Sequence, residues 1–212
     1  MHSFRGSQNN HSCVVIDNDW LKLIIFDFFV NHKELYHETS LKTIMNPKVS
    51  IIMGSTSDLP VMEGAARILN DFEIPFEMNA LSAHRTPEEV EKFAKAAYGR
   101  GIKVIIAAAG MAAHLPGVIA AMTPIPVIGV PIKATLEGWD AILAILQMPP
   151  GIPVATVALN GAGNAAILAA QIIATGDELV MARLIAFKEN LKVKIVEANA
   201  ELSKVKFPYK TN

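Results

Sequence analysis

From residue 49 onward, short apolar runs alternate with segments whose apolar positions recur every three to four residues. Val49-Ser50-Ile51-Ile52-Met53 is β-branched and almost continuously apolar, the pattern of a strand covered on both faces. After Gly54-Ser55-Thr56-Ser57-Asp58, the positions Val61, Met62, Ala65, Ile68, Leu69 and Phe72 share one helical face. Asp58 or Ser57 is placed to cap that helix, and Pro75 stops it. Residues 76–81 predict a second strand, less apolar and so nearer an edge. Thr86-Pro87-Glu88-Glu89 has the form of a capping box with proline at the first helical position, opening a helix that runs to Tyr98 and stops at Gly99 and Gly101. Residues 102–109 read as a third strand, and a short helix follows from Pro116 or Gly117 to Met122. Pro124 and Pro126 lead into a fourth strand, residues 127–130. A helix over 139–147 ends at Met148-Pro149-Pro150-Gly151, and residues 154–159 form a fifth strand. The segment 164–175 is apolar nearly all round, which predicts a buried helix, and a last amphipathic helix spans about 177–202.

Strands separated by helices imply parallel pairing with right-handed crossovers. The expected fold is therefore α/β: a three-layer sandwich with a five-stranded parallel sheet in flavodoxin-like order, plus a long C-terminal helix. In such sheets ligands bind beyond the carboxyl ends of the strands. That rule selects the loops at 54–58, 82–87, 110–117, 131–138 and 160–163.

The regular alternation begins only near residue 46. Before it lie four of the six histidines, His2, His11, His32 and His37, and the cluster Phe26, Phe28 and Phe29. Residues 1–46 are expected to be an N-terminal extension, either a weakly ordered arm or the product of a mis-assigned start codon, since Met45-Asn46-Pro47-Lys48 resembles a natural start. Residues 47–212 form the catalytic domain on this reading.

Composition narrows the chemistry. Hydrophobic residues make up 51% and charged residues 18%, with net charge −1, which argues against a nucleic-acid surface or an electrostatic membrane partner. Cys13 is the single cysteine, so no intrachain disulfide or multi-thiolate metal site can form, and a cytoplasmic home is expected. No apolar run is long enough to cross a bilayer. No His, Cys and Asp cluster has metal-ligand spacing, and no Walker loop, dinucleotide fingerprint or nucleophile elbow is present.

Three strand-end loops carry candidate chemistry. Gly54–Asp58 offers backbone amides, hydroxyls and a carboxylate at a helix N-terminus; Asp58 suits ribose hydroxyls better than phosphate. A hydrogen-bonded turn with a capping Asp explains the same residues. Ser82-Ala83-His84-Arg85-Thr86-Pro87 joins an imidazole, which takes and returns protons near neutral pH, to a fork-shaped cation suited to phosphate. A capping His and a surface ion pair are the simpler alternative. Gly110-Met111-Ala112-Ala113-His114-Leu115-Pro116-Gly117 lets a ligand approach the backbone closely, and His114 either meets that ligand or bonds a neighbouring carbonyl. Asn160-Gly161-Ala162-Gly163-Asn164 is equally well explained as a tight turn. The chemistry of Gln147-Met148-Pro149 does not follow from its residues.

Taken in order, Gly54-Ser55-Thr56-Ser57-Asp58, Ser82-Ala83-His84-Arg85-Thr86-Pro87, Ala112-Ala113-His114-Leu115-Pro116-Gly117, Gly129-Val130-Pro131, Gln147-Met148-Pro149 and Asn164-Ala165-Ala166 closely resemble the class I N5-carboxyaminoimidazole ribonucleotide mutases of purine synthesis, the PurE type. The resemblance covers about residues 47–200. It implies a cofactor-free, metal-free isomerase that moves a carboxyl group from the exocyclic nitrogen of a small-molecule ribonucleotide to ring carbon C4. It also implies that His84 is the general acid/base, that Ser55, Asp58 and Arg85 bind the ribonucleotide, and that Ser57, Ser82, Ala112 and His114 line the pocket. A homo-octamer with sites at subunit boundaries is implied as well. The chain departs from the family pattern at Met111, where a second glycine is usual, and it is shorter in residues 131–140 and near 160–164. Arg85, His114 and Leu115-Pro116 fit class I better than the class II carboxylase, which takes free carbon dioxide. That carboxylase and a non-catalytic nucleotide-binding module are the alternatives.

Overall fold

A computed structural model describes residues 46–212 of the 212-residue chain, so the expectation for the N-terminal segment falls, apart from Asn46, outside the described residues. The strands are β1 (Val49–Met53), β2 (Phe76–Ala80), β3 (Val104–Gly110), β4 (Val127–Ile132) and β5 (Ala155–Thr156), arranged β2-β1-β3-β4-β5 with every pair parallel. The helices are α1 (Leu59–Asp71), α2 (Pro87–Ala97), α3 (Leu115–Met122), α4 (Trp139–Leu146), α5 (Ala162–Ala174) and α6 (Glu178–Lys204). This is the flavodoxin-like order expected, with β2 at an edge.

Period-two alternation sends the sheet's side chains into two cores. Val49, Ile51 and Met53 of β1 pack with Met62 and Leu69 of α1 and the alanine-rich face of α5. Ile52 turns the other way, to Val90 of α2, Ile119 of α3 and Ile145 of α4. Ser50 is the one buried polar residue among those described; its hydroxyl donates to Glu77 Oε1 at 2.9 Å. Arg100 holds the same carboxylate through two bonds of 2.8 Å; burial alone would raise the Glu77 carboxyl, but the bonds from Arg100 and Ser50 together with the Arg100 charge keep it below its ordinary range.

Alanines at 162, 165, 166, 169 and 170 let α5 lie close against the sheet, so the expected burial of this helix holds for one face. Asp177 caps α6 by accepting the Val180 N–H at 3.2 Å, and Lys48 pairs with it at 2.9 Å. The first turns of α6 dock through Val180, Leu184 and Phe187, whose ring meets Phe72 edge-on at 5.4 Å. Farther along, Leu191, Val193, Ile195, Val196 and Leu202 are exposed on several sides, so α6 is less cleanly amphipathic than its sequence suggests. No described helix is long and apolar enough to cross a membrane.

Four local expectations are corrected. The fifth strand keeps only two residues of the six expected, pairing Ile128 with Ala155 and Gly129 with Thr156. β4 in contrast runs past its expected end at Val130 and takes in Pro131. Proline is tolerated there because β5 has already ended and no ladder donor is required of it. The Thr86 capping box does not form: its hydroxyl accepts the Ser82 N–H at 3.0 Å and donates to the Ser82 carbonyl at 3.2 Å. Nor does Asp58 cap α1; Ser55 caps the preceding 3-10 turn by accepting the Ser57 N–H at 3.3 Å.

Candidate active site

The carboxyl ends of β1, β2, β3 and β4 open on a cavity of about 500 Å³. Ser55, Ser57 and Asp58 line it from the loop after β1, Ser82, His84 and Arg85 from the loop after β2, and Ala112 from the loop after β3. Parallel pairing produces this convergence: Met53 stands beside both Ala80 and Ala108, so the three chains leave the sheet at nearly one level.

Each polar group is held by short-range bonding. Arg85 Nη2 donates to the Gly54 carbonyl at 2.7 Å, and its Nε donates to Ser82 Oγ at 3.2 Å. One of its five N–H donors thus ties the second loop to the first, a second closes on its own loop, and three are left for an anion among the described residues. The hydroxyl of Ser82 also receives the Arg85 main-chain N–H at 3.3 Å, closing the turn on itself. Asp58 is half-buried, and loss of water pushes its carboxyl above the ordinary range; bonds from Ser57 and Ser55 only partly oppose this.

His84 is exposed toward the cavity, and its Nε2 lies 2.9 Å from Nδ1 of His114. The two rings meet edge-on, with centroids 5.0 Å apart at 82°. His114 is not among the residues lining the cavity and reaches it through His84. One of the two facing nitrogens must carry the shared proton, so the tautomers of the pair are linked.

The remaining wall is apolar or small: Ala109, Met111, Ala112, Leu115, Ile132 and Ala134. Ala113, grouped with Ala112 and Leu115 in the sequence, turns into the core. Met111 has φ of 55°, a left-handed conformation that favours glycine. Ile132 and Ala134 were not singled out by sequence; the strand-end rule marked their loop, but apolar side chains gave no chemical signal within it. The Gly54 carbonyl that anchors Arg85 was equally silent, being main chain. Met148, the centre of the unexplained Gln147-Met148-Pro149 stop, packs on Gly117, where an added Cβ would lie 2.8 Å from its Cε. That motif therefore closes the back of α3.

A family model described as AIR carboxylase matches residues 48–194. The N5-carboxyaminoimidazole ribonucleotide mutase of Pyrococcus abyssi (strain GE5 / Orsay) is 58% identical over 147 residues, covering 69% of this chain and 84% of that protein. The mutase of the same name from Mycobacterium tuberculosis (strain CDC 1551 / Oshkosh) is 50% identical over 160 residues, 75% of this chain and 92% of that one. The phosphoribosylaminoimidazole carboxylase of Schizosaccharomyces pombe is 52% identical over 163 residues, which is 76% of this chain but 30% of that longer protein. Among solved structures, Treponema denticola PurE superposes with a TM-score of 0.69 at 31% identity, over 74% of this chain and 99% of its own.

Proposed function

Since this chain belongs to the AIR carboxylase family, we propose that its strand-end cavity is the site of a carboxyl transfer in which His84 moves the protons. The chain is an isomerase of purine biosynthesis, a mutase that converts N5-carboxyaminoimidazole ribonucleotide to 4-carboxy-5-aminoimidazole ribonucleotide. The observation that carries the site assignment is the meeting of Asp58, His84 and Arg85 in one cavity.

The roles follow from chemistry. Arg85 supplies a cationic fork for the substrate phosphate, with Ser55, Ser57 and Ser82 as hydroxyl partners. Asp58 accepts from ribose hydroxyls. The imidazolium of His84 gives its proton to the exocyclic nitrogen as the N–C bond of the carbamate breaks, releasing carbon dioxide and leaving an electron-rich C4. C4 attacks the carbon dioxide, and the neutral imidazole then removes the proton from that tetrahedral carbon. One proton is given and one regained, so the cycle balances without a co-reactant. Carbon dioxide must stay in place between the two steps, and Ala112, Leu115, Ile132 and Ala134 provide a wall without hydrogen-bonding side chains for it. His114 orients His84 through the 2.9 Å contact.

The proposal includes a homo-octamer with sites at subunit boundaries and a cytoplasmic location. The exposed apolar residues of α6 support assembly, because Leu191, Val193, Ile195, Val196 and Leu202 leave apolar surface uncovered along one helix. Native mass spectrometry reads the copy number directly.

The decisive assay supplies the carbamate substrate to purified protein without ATP or added bicarbonate. Product formation is expected, and His84→Asn is expected to bind the ribonucleotide but not turn it over. Strict dependence on added bicarbonate would assign the class II carboxylation instead, and full activity of His84→Asn would remove His84 from its role.

A further inference from the structure

The outer side of β4 is finished by a residue that belongs to no strand. Beyond Thr156, the Val157 N–H donates to the Gly129 carbonyl at 3.1 Å, and the Asn160 N–H donates to the Pro131 carbonyl at 2.8 Å. The next polar group on that side, the Lys133 N–H, donates to the side-chain Oδ1 of Asn160 at 3.0 Å. Gly129, Pro131 and Lys133 thus find successive partners as if β5 continued, with an amide side chain standing in for the last peptide carbonyl. Asn160 has φ of 56°, where asparagine is among the few residues tolerated. The left-handed turn is what allows its N–H and its side chain to face the same edge.

The two bonds fall on either side of Ile132. Ile132, at the end of β4, and Ala134, just beyond it, form the cavity wall on this side. β3 holds the inner edge of this stretch through Ala109 and Gly110; with proline at 131 the outer edge has no N–H of its own to give toward β5, and there the bonds come from Asn160. We propose that Asn160 is a positioning residue for the mutase reaction: it holds the Ile132–Ala134 wall so that carbon dioxide is kept beside C4 rather than lost. This rests on the mutase reading above. Without the brace, the first half of the reaction still runs. The N–C bond breaks, the proton goes to nitrogen, and carbon dioxide leaves before C4 attacks.

Asn160→Gly keeps the left-handed turn and the bond to Pro131 but deletes the side-chain acceptor, while Asn160→Asp restores an acceptor oxygen. The experiment measures carboxylated product and free aminoimidazole ribonucleotide per substrate consumed, together with amide hydrogen exchange at Lys133. Asn160→Gly is expected to raise the ratio of free amine to product on the order of tenfold, with little change in KM and faster exchange at Lys133. Asn160→Asp is expected to return both readouts toward the parent values. An unchanged ratio in Asn160→Gly, or an Asp variant no better than the Gly variant, overturns the proposal. Failure of the parent protein to consume the substrate at all would overturn the mutase reading instead.

Discussion

His84 Nε2 and His114 Nδ1 stand 2.9 Å apart across two different strand-end loops, one following β2 and the other following β3. Both facing nitrogens cannot carry protons at that separation, so the state of one ring sets the hydrogen-bonding role of the other. Replacing His84 with Asn removes the group proposed to reach the substrate, and kcat should fall by about 10²–10⁴-fold. His114→Phe preserves a ring but not the nitrogen. It should lower kcat by less than the His84 change, leave KM nearly unaltered and shift the pH profile of kcat; steady-state kinetics across pH 5–9 checks all three.

Asp58 carries a cost of folding. Its carboxyl is raised above the ordinary 3.8 chiefly by burial, so the folded state holds the proton more firmly than the unfolded chain does. Stability contributed at this position is therefore lost as pH rises from the ordinary value through the raised one, and it stays lost at neutral pH. Asp58→Asn should be more stable than the parent at pH 7, with the difference vanishing below about the ordinary carboxylate value. Melting temperatures at the two pH values test the sign. Titration with a ribose-containing mononucleotide should show weaker binding by the same variant.

Met111 occupies a left-handed conformation with its side chain at the cavity wall. Met111→Gly relieves the backbone strain, about 1–3 kcal/mol for such a residue, but adds unfolded-state entropy of about 0.5–1 kcal/mol. A net gain of about 1 kcal/mol is expected from urea unfolding. A loss of stability would show that Met111 packs more favourably than its exposed position indicates.

Gly129 lies where α4 crosses β4. A Cβ there would sit 2.4 Å from Ile145 Cγ2 and 3.0 Å from Val154 Cγ1. Gly129→Ala should destabilise by about 1–3 kcal/mol through this overpacking. Pairing it with Ile145→Val, which trims the opposing side chain, should recover part of the loss; chemical denaturation of the two variants gives the comparison.

The architecture was legible because strands such as Val49–Met53 are uniformly apolar and their crossover helices keep a regular face. The edge position of β2 could be read from its mixed composition, and the strand-end rule led directly to Asp58, Ser82, His84 and Arg85. Capping was misread for a common reason. Thr86 and Asp58 have the right side chains in the right places, but the Thr86 hydroxyl is taken up by the Ser82 main chain and the Asp58 carboxylate accepts from the Ser57 hydroxyl rather than from a helix N–H. The limits of β4 and β5 were misread because Pro131 signals a strand end, and only the absence of a neighbour makes it harmless. The brace at Asn160 was hidden for a different reason: a side chain acting as a peptide group leaves no periodic trace in the sequence.

The brevity of β5 also bears on how copies of this chain can aggregate. A sheet grows by adding a strand wherever an edge presents an unbroken row of main-chain donors and acceptors. On this side the row is two residues long, then a ring nitrogen without hydrogen, then a side chain already engaged. Among the described residues this flank offers an added strand few free main-chain groups, which favours association there through side chains.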